Sequence, residues 1–269
     1  MTLVSLSVLG AGVVVVVAVM CLTFVIGRRL QNYSYVDIAW SANFALLAVL
    51  YGVCGNGLPA RRWMVAVIVS LWSVRLAWHL ARRVIGHPEE GRYVELRSRW
   101  GEKGVAAFER RMLRFYLIQA ALDVILSWPM LLAATNAAPT LTAIEWVGAG
   151  LWVLAISGET IADAQLARFK ADPTMRGRVC DRGLWSWSRH PNYFFEWLVW
   201  VAYALIALAV PTLGWSGLLM PALMLYFLLK VTGIPATEAQ ALRTKGAAYA
   251  DYQARTSAFV PMPPRRSIR

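Results

Sequence analysis

Apolar residues come in long blocks along this chain, and the polar residues gather in short stretches between them. A block of about 20 apolar residues is long enough to cross a bilayer as a helix. The pattern predicts an all-α, polytopic membrane protein of seven transmembrane helices. The spans are expected at about Thr2–Gly27, Val36–Val53, Trp63–Ile85, Leu113–Ala134, Trp146–Arg168, Tyr193–Leu213 and Trp215–Val231. Pro211 and Gly214 predict a tight turn between the last two. Residues 86–112, behind a turn at Gly86–Pro88, read as a short amphipathic surface helix. Residues 238–252 read as another, followed by Pro261, Pro263 and Pro264. The first block is not expected to be a cleavable signal, because no basic leader precedes it and no small-residue cleavage site precedes Arg28. The chain divides on this reading into 1–112 and 113–269.

Composition agrees: 58% of the residues are hydrophobic and only 16% charged, far less charge than a soluble domain carries. The formal net charge of +12 sharpens the picture rather than changing its class. Arg28 and Arg29 follow span one. Arg82, Arg83, Arg92, Arg97, Arg99, Lys103, Arg110 and Arg111 follow span three. Lys170, Arg176, Arg178, Arg182 and Arg189 follow span five, and Arg243, Lys245, Arg255, Arg265, Arg266 and Arg269 fill the tail. The opposite connections carry little beyond Arg61 and Arg62. Basic residues concentrate on the cytoplasmic side of inner-membrane proteins. That bias predicts an outside N-terminus, a cytoplasmic C-terminus and the inner (cytoplasmic) membrane. It also points to anionic lipid head groups, not nucleic acid, as the partners of the positive charge. Cys21, Cys54 and Cys180 form no disulfide or zinc pattern, and His79, His87 and His190 are too scattered for a metal site. No glycine-rich nucleotide signature is present; Gly148-Ala149-Gly150 reads as a helix-packing surface.

Polar groups within the spans are the candidate chemistry, since apolar surroundings penalise them unless they are paired or used. Asp37, Trp40 and Asn43 share a face near the start of span two, with Asp37 readable as an interfacial cap or as a functional acid. Trp72, Arg75 and His79 share a face of span three. Arg75 lies deep enough to need a partner, for which Asp37 and Asp123 are available. Asp123, alone in span four, must be neutral or meet a cation. Glu159, Asp163 and Lys170 line span five. Arg178, Asp181, Arg182, Arg189, His190, Asn192 and Glu196 then lead into span six, a grouping suited to an anionic ligand.

In the last third, Glu159-Thr160-Ile161-Ala162-Asp163, Phe169-Lys170, Gly183-Leu184-Trp185, Arg189-His190-Pro191-Asn192-Tyr193 and Glu196-Trp197 resemble the steroid 5-alpha-reductase superfamily. Tyr249-Ala250-Asp251-Tyr252 and Phe259-Val260-Pro261 resemble its ending. Glu90-Gly91-Arg92-Tyr93 with Arg97 is similar to the signature of an uncharacterised bacterial branch. The resemblance covers about 145–262 closely and the first half as a span pattern only. It implies NADPH bound from the cytoplasm by the C-terminal part. The N-terminal part would hold a lipid or steroid-like substrate, whose carbonyl-conjugated carbon–carbon double bond receives hydride. Carried over by position, Glu159, Asp163, Lys170, Arg178, Arg182, His190, Asn192, Tyr193 and Glu196 would bind the cofactor. Lys170 stands where the family has Arg, and Glu159 where it tends to have Asn. On the catalytic side Asp37 stands near the family's Glu, while Trp72 falls where its Tyr would be. An indole cannot replace a phenolic proton, so His79 or Tyr93 is the expected donor, with Trp40, Trp72 and Arg75 around the substrate. The same C-terminal segments also resemble isoprenylcysteine carboxyl methyltransferases, which use S-adenosylmethionine. The basic load of Lys170, Arg178 and Arg182 favours phosphates. A non-enzymatic lipid-binding protein is the remaining reading. Polar groups on one membrane face and the lack of a mirrored second half disfavour a transporter.

Overall fold

The structure is a computed structural model that describes residues 3–102 and 104–264. Thr2, Lys103, Arg265, Arg266 and Arg269 of the expectations above lie outside the described residues. The fold is all-helical: the described residues contain no strand, only an isolated bridge between Ser188 and Ser257. Six helical segments are long and apolar enough to cross a membrane: Leu3–Leu30, Tyr35–Cys54, Pro59–Val84, Val105–Ala134, Ala143–Ala171 and Gly214–Lys245. The expected sixth span near 193–213 is instead a 17-residue helix, Pro191–Ala207. It unwinds ahead of Pro211 and rises about 26 Å, at the short end for a span.

The chain forms two compact units, Met1–Thr142 with Val210–Leu213, and Ala143–Ala209 with Gly214–Arg269. The expected boundary at 112 falls inside a helix, and the division comes at Thr142. Unit 1 holds α1 (Leu3–Leu30), α2 (Tyr35–Cys54), α3 (Pro59–Val84), α4 (Gly91–Gly101), α5 (Val105–Leu126) and α6 (Trp128–Ala134). The α2 helix is central and packs on α1, α3, α5 and α6. Val14, Leu22, Leu46, Val67 and Leu71 face outward, an apolar surface suited to lipid. The α5–α6 break falls at Ser127 because Pro129, with no amide hydrogen, starts a new helix more readily than it continues one. All of Pro129–Ala134 is buried. The loop after α6 is clasped by Arg61, fully buried at the start of α3. Its guanidinium donates to the carbonyls of Asn136 (2.8 Å), Ala138 (3.0 Å) and Thr140 (2.6 Å).

Unit 2 holds α7 (Ala143–Ala171), α8 (Leu184–Trp187), α9 (Pro191–Ala207), α10 (Leu219–Tyr226), α11 (Ile234–Lys245) and α12 (Ala247–Arg255), with a π-helical turn at Phe227–Val231 before α11. The α7–α9 pair is its backbone. Gly148 and Gly158 let those helices close: a Cβ at 148 would lie 2.8 Å from Ile206, and one at 158 would enter the Phe195 ring. Gly150 faces open space, so only part of the glycine surface expected at 148–150 is used.

Replacing Arg61 by Ala would leave buried carbonyls without donors, at about 1–3 kcal/mol each. The expected outcome is a marked loss of thermal stability that Arg61→Lys restores only in part, because an ammonium lacks the planar fork. A thermal melt of the detergent-purified variants checks this.

Candidate functional site

In unit 1 the site is set by two turns lacing onto each other. The turn before α2 contributes Asn32, Tyr33 and Ser34; the turn before α4 contributes His87, Glu89 and Glu90. Tyr33 N donates to Glu89 Oε1 (2.7 Å), Glu90 N to Ser34 Oγ (2.9 Å) and Asn32 Nδ2 to the His87 carbonyl (3.2 Å). Arg97 pins Glu89 through Nε (3.0 Å) and Nη2 (3.1 Å). The starts of α2 and α4 are thereby held side by side. Tyr93 of α4 is fully buried and donates its hydroxyl to Asp37 Oδ1 at 2.7 Å. The Arg92 guanidinium pairs with the same oxygen and lies 4.7 Å from the Tyr93 ring centre. Burial, then the Asp37 charge, push the Tyr93 phenol well above the usual tyrosine value, so it keeps its proton at neutral pH.

The other expected residues of this unit are distributed differently. Trp40 stacks edge-on against Phe44 at 5.1 Å, and its indole nitrogen is buried without an acceptor. Trp72 is fully buried, 5.4 Å from Phe44, so it builds the α2–α3 core rather than lining an open pocket. Arg75 is half-buried and His79 is exposed on α3. Both carboxylates proposed for Arg75 have other described partners: Asp37 has Arg92 and Tyr93, and Asp123 has Asn43. Arg92 and Glu89 were the residues missed as site members. The dense Glu-Glu-Gly-Arg-Tyr run around Tyr93 was the available signal.

Unit 2 places its expected residues in three groups. Along α7 and α9, Asn192 Nδ2 donates to Asp163 Oδ1 (3.3 Å), Glu196 accepts from the Trp200 indole (3.0 Å), and Glu159 is buried. The segment between these helices is docked by Leu184 N to Gln165 Oε1 (2.9 Å) and by the Trp185 indole to the Ala162 carbonyl (2.9 Å). Gly183 makes the docking possible. Its φ is +59°, and a Cβ there would lie 2.7 Å from the Gln165 amide.

The second group lines a cavity of about 380 Å³ whose walls include Phe169, Arg178, Asp181, Arg182 and Arg255. Arg255 is paired with Asp181 (2.8 Å) and Asp251 (3.1 Å). No ion pair to Arg178 or Arg182 is formed among the described residues. Lys170 is exposed in the last turn of α7. Burial pushes the Cys180 thiol up, which disfavours a reactive thiolate there.

The third group is tied into the tail. His190 Nε2 lies 3.2 Å from Glu238 Oε1, and Arg189 Nε donates to that oxygen at 2.7 Å. Gln253 donates to Glu238 Oε2 at 2.8 Å, and Arg189 also reaches the carbonyls of Gln253 and Thr256. The Tyr193 ring stacks on His190 at 5.3 Å. The buried Tyr252 hydroxyl donates to the Trp185 carbonyl, and Ser188 Oγ to the Phe259 carbonyl at 2.8 Å. His190 and Tyr193 therefore stand in the tail's anchor, where sequence reasoning expected ligand contacts.

An all-helical architecture with six segments long and apolar enough to cross a membrane defines the class. The chain matches the family described as "Protein of unknown function (DUF1295)" over residues 23–256, and it belongs to that family. The family is the steroid 5-alpha-reductase-like group. Among curated proteins it is similar to one from Schizosaccharomyces pombe, described as uncharacterized protein C594.04c. The two are 28% identical over 242 residues, covering 73% of this chain and 68% of that protein. No solved structure matches the chain significantly.

Glu238→Ala would release Arg189, His190 and Gln253 together. Amide exchange across 247–259 should rise and the thermal midpoint should fall by roughly 5 °C or more. Asp181→Ala, which removes a partly exposed pair with Arg255, should change both far less. Hydrogen–deuterium exchange by mass spectrometry on the two variants checks the contrast.

Proposed function

We propose that this protein is a membrane-embedded, NADPH-dependent reductase acting on a carbon–carbon double bond conjugated to a carbonyl in a lipid or steroid-like substrate. The observation that carries the reading is the cavity in unit 2, where the lining carboxylates Asp181 and Asp251 pair with Arg255 and no ion pair to Arg178 or Arg182 is formed among the described residues. Such guanidinium groups suit the phosphates of a dinucleotide far better than the uncharged parts of S-adenosylmethionine. Arg178 and Arg182 would hold phosphate, with Lys170 close in sequence. Asp163 and Asn192 offer a carboxylate and an amide for hydroxyl and carboxamide groups. Bound there, NADPH supplies the hydride.

Unit 1 would supply the rest. Hydride addition to an enone builds negative charge on the carbonyl oxygen, and a placed donor lowers that cost. Tyr93 is the donor this reading assigns: its phenol is protonated and buried, and its single O–H, given to Asp37 in the free protein, would turn to the carbonyl oxygen when substrate binds. Arg92 meets the same Asp37 oxygen, which fixes the Asp37 carboxyl group beside the phenol. Trp40 offers an apolar ring and an unused indole N–H to the substrate. His79, exposed on α3, becomes the secondary candidate. The reading also takes α9 as a seventh span, with the N-terminus outside, the C-terminus cytoplasmic and the protein in the inner membrane.

The test separates binding from chemistry. NADPH binding, followed by intrinsic tryptophan fluorescence, should weaken at least about tenfold in Arg178→Ala/Arg182→Ala, the loss of one or more charge-assisted contacts. Tyr93→Phe should keep the NADPH affinity and lower turnover of a lipid enone by about a hundredfold or more, the usual weight of a positioned acid. Unchanged affinity in the double arginine variant would remove the cofactor from this cavity. Unchanged turnover in Tyr93→Phe would remove Tyr93 as donor.

A further inference from the structure

Asp123 on α5 and Asn43 on α2 are both fully buried, in the apolar interior of unit 1. Asn43 Nδ2 donates to Asp123 Oδ2 at 2.7 Å. Two oxygens of the pair remain, Asp123 Oδ1 and Asn43 Oδ1, and both are buried with no hydrogen-bond partner. Among the described residues no cation pairs with Asp123, although the helices packed on α5 carry charged groups: Arg28 on α1, Asp37 on α2 and Arg92 on α4 are paired with Glu109, with Arg92 and with Asp37 respectively. Other polar links close by in sequence are uncharged: Tyr51 of α2 to Ser127 just after α5 (2.9 Å), and Tyr116 of α5 to the carbonyl of Tyr33 just before α2 (2.8 Å).

A carboxylate in this setting is a buried charge met by one amide hydrogen, an arrangement too costly to persist. A carboxylic acid and a primary amide have a better geometry available. The amide N–H donates to the acid carbonyl while the acid O–H donates to the amide carbonyl, closing a ring of two hydrogen bonds. The first of these bonds is present. The second needs one proton, and the two oxygens it would join are the two left without partners.

We propose that Asp123 is a proton-binding site: it holds a proton on Oδ1 as a neutral carboxylic acid and closes a cyclic acid–amide pair with Asn43. The pair fixes the rotation of α2 against α5. Asp37 lies six residues from Asn43 on α2, about 9 Å along the helix. Tyr93 packs against Phe115 of α5 at 6.3 Å. Asp123 thus acts as a positioning residue for the Asp37–Tyr93 contact, whatever reaction that contact serves.

Infrared spectroscopy of the full-length protein in detergent, compared with Asp123→Asn, tests the protonation directly. At neutral pH the wild type should show the carbonyl stretch of a protonated carboxylic acid that the variant lacks. A difference spectrum with a carboxylate band instead would overturn the proposal. Thermal melts give a second readout. Asp123→Asn puts an amide N–H where the acid O–H stands, so it should fold and keep the wild-type midpoint. Asp123→Ala should lower the midpoint by roughly 5 °C or more. An Asp123→Asn protein that fails to fold, or melts as low as Asp123→Ala, would contradict a neutral pair.

Discussion

A polar side chain inside these helices is stable only where another group meets it, because neither lipid nor an apolar core can solvate it. Arg61 is met by three carbonyls of one loop. Asp37 is met by Arg92 and Tyr93, and Glu238 by Arg189, His190 and Gln253. Each solution joins segments far apart in sequence. Satisfying the polar group is therefore also what closes the tertiary structure. The same constraint separates architecture from chemistry. His190 and Arg189 hold the tail, whereas Arg178 and Arg182 border a cavity and form no ion pair among the described residues.

The helices were largely legible because their signal is local. Blocks of apolar residues located α1, α2, α3, α7 and the segment leading to α11 to within a few residues. The errors have physical causes. The α5 helix begins at Val105, not near Leu113, because its first turns carry Glu109, Arg110, Arg111 and Arg114, and hydropathy discounts a charged helix end. The α9 helix stops at Ala207 because Pro211 disrupts the chain earlier than the apolar run itself ends.

The site was legible as a set of suspects and not as contacts. Asp37 and Tyr93 are 56 positions apart, and Asn43 and Asp123 are 80 apart. Residue type suggested that each needed a partner; only the turns and helix packing decide which one. Arg75 was the plausible cation for two carboxylates, yet Arg92 pairs with Asp37 and the neutral Asn43 amide meets Asp123. Asp163 and Asn192 are different: their 29-residue separation spans one helix, one loop and the next helix start. The motif order on adjacent helices already implied that they meet.

The central claim is that unit 2 is built for a phosphorylated dinucleotide. The most direct measurement is a parallel thermal-shift titration of the detergent-purified protein with NADPH, NADH and S-adenosylmethionine. Ligands that bind only the folded state raise its melting temperature with concentration. The account predicts stabilisation by NADPH, less by NADH, and none by S-adenosylmethionine. Stabilisation by S-adenosylmethionine with none by NADPH would contradict it and make the protein a methyltransferase.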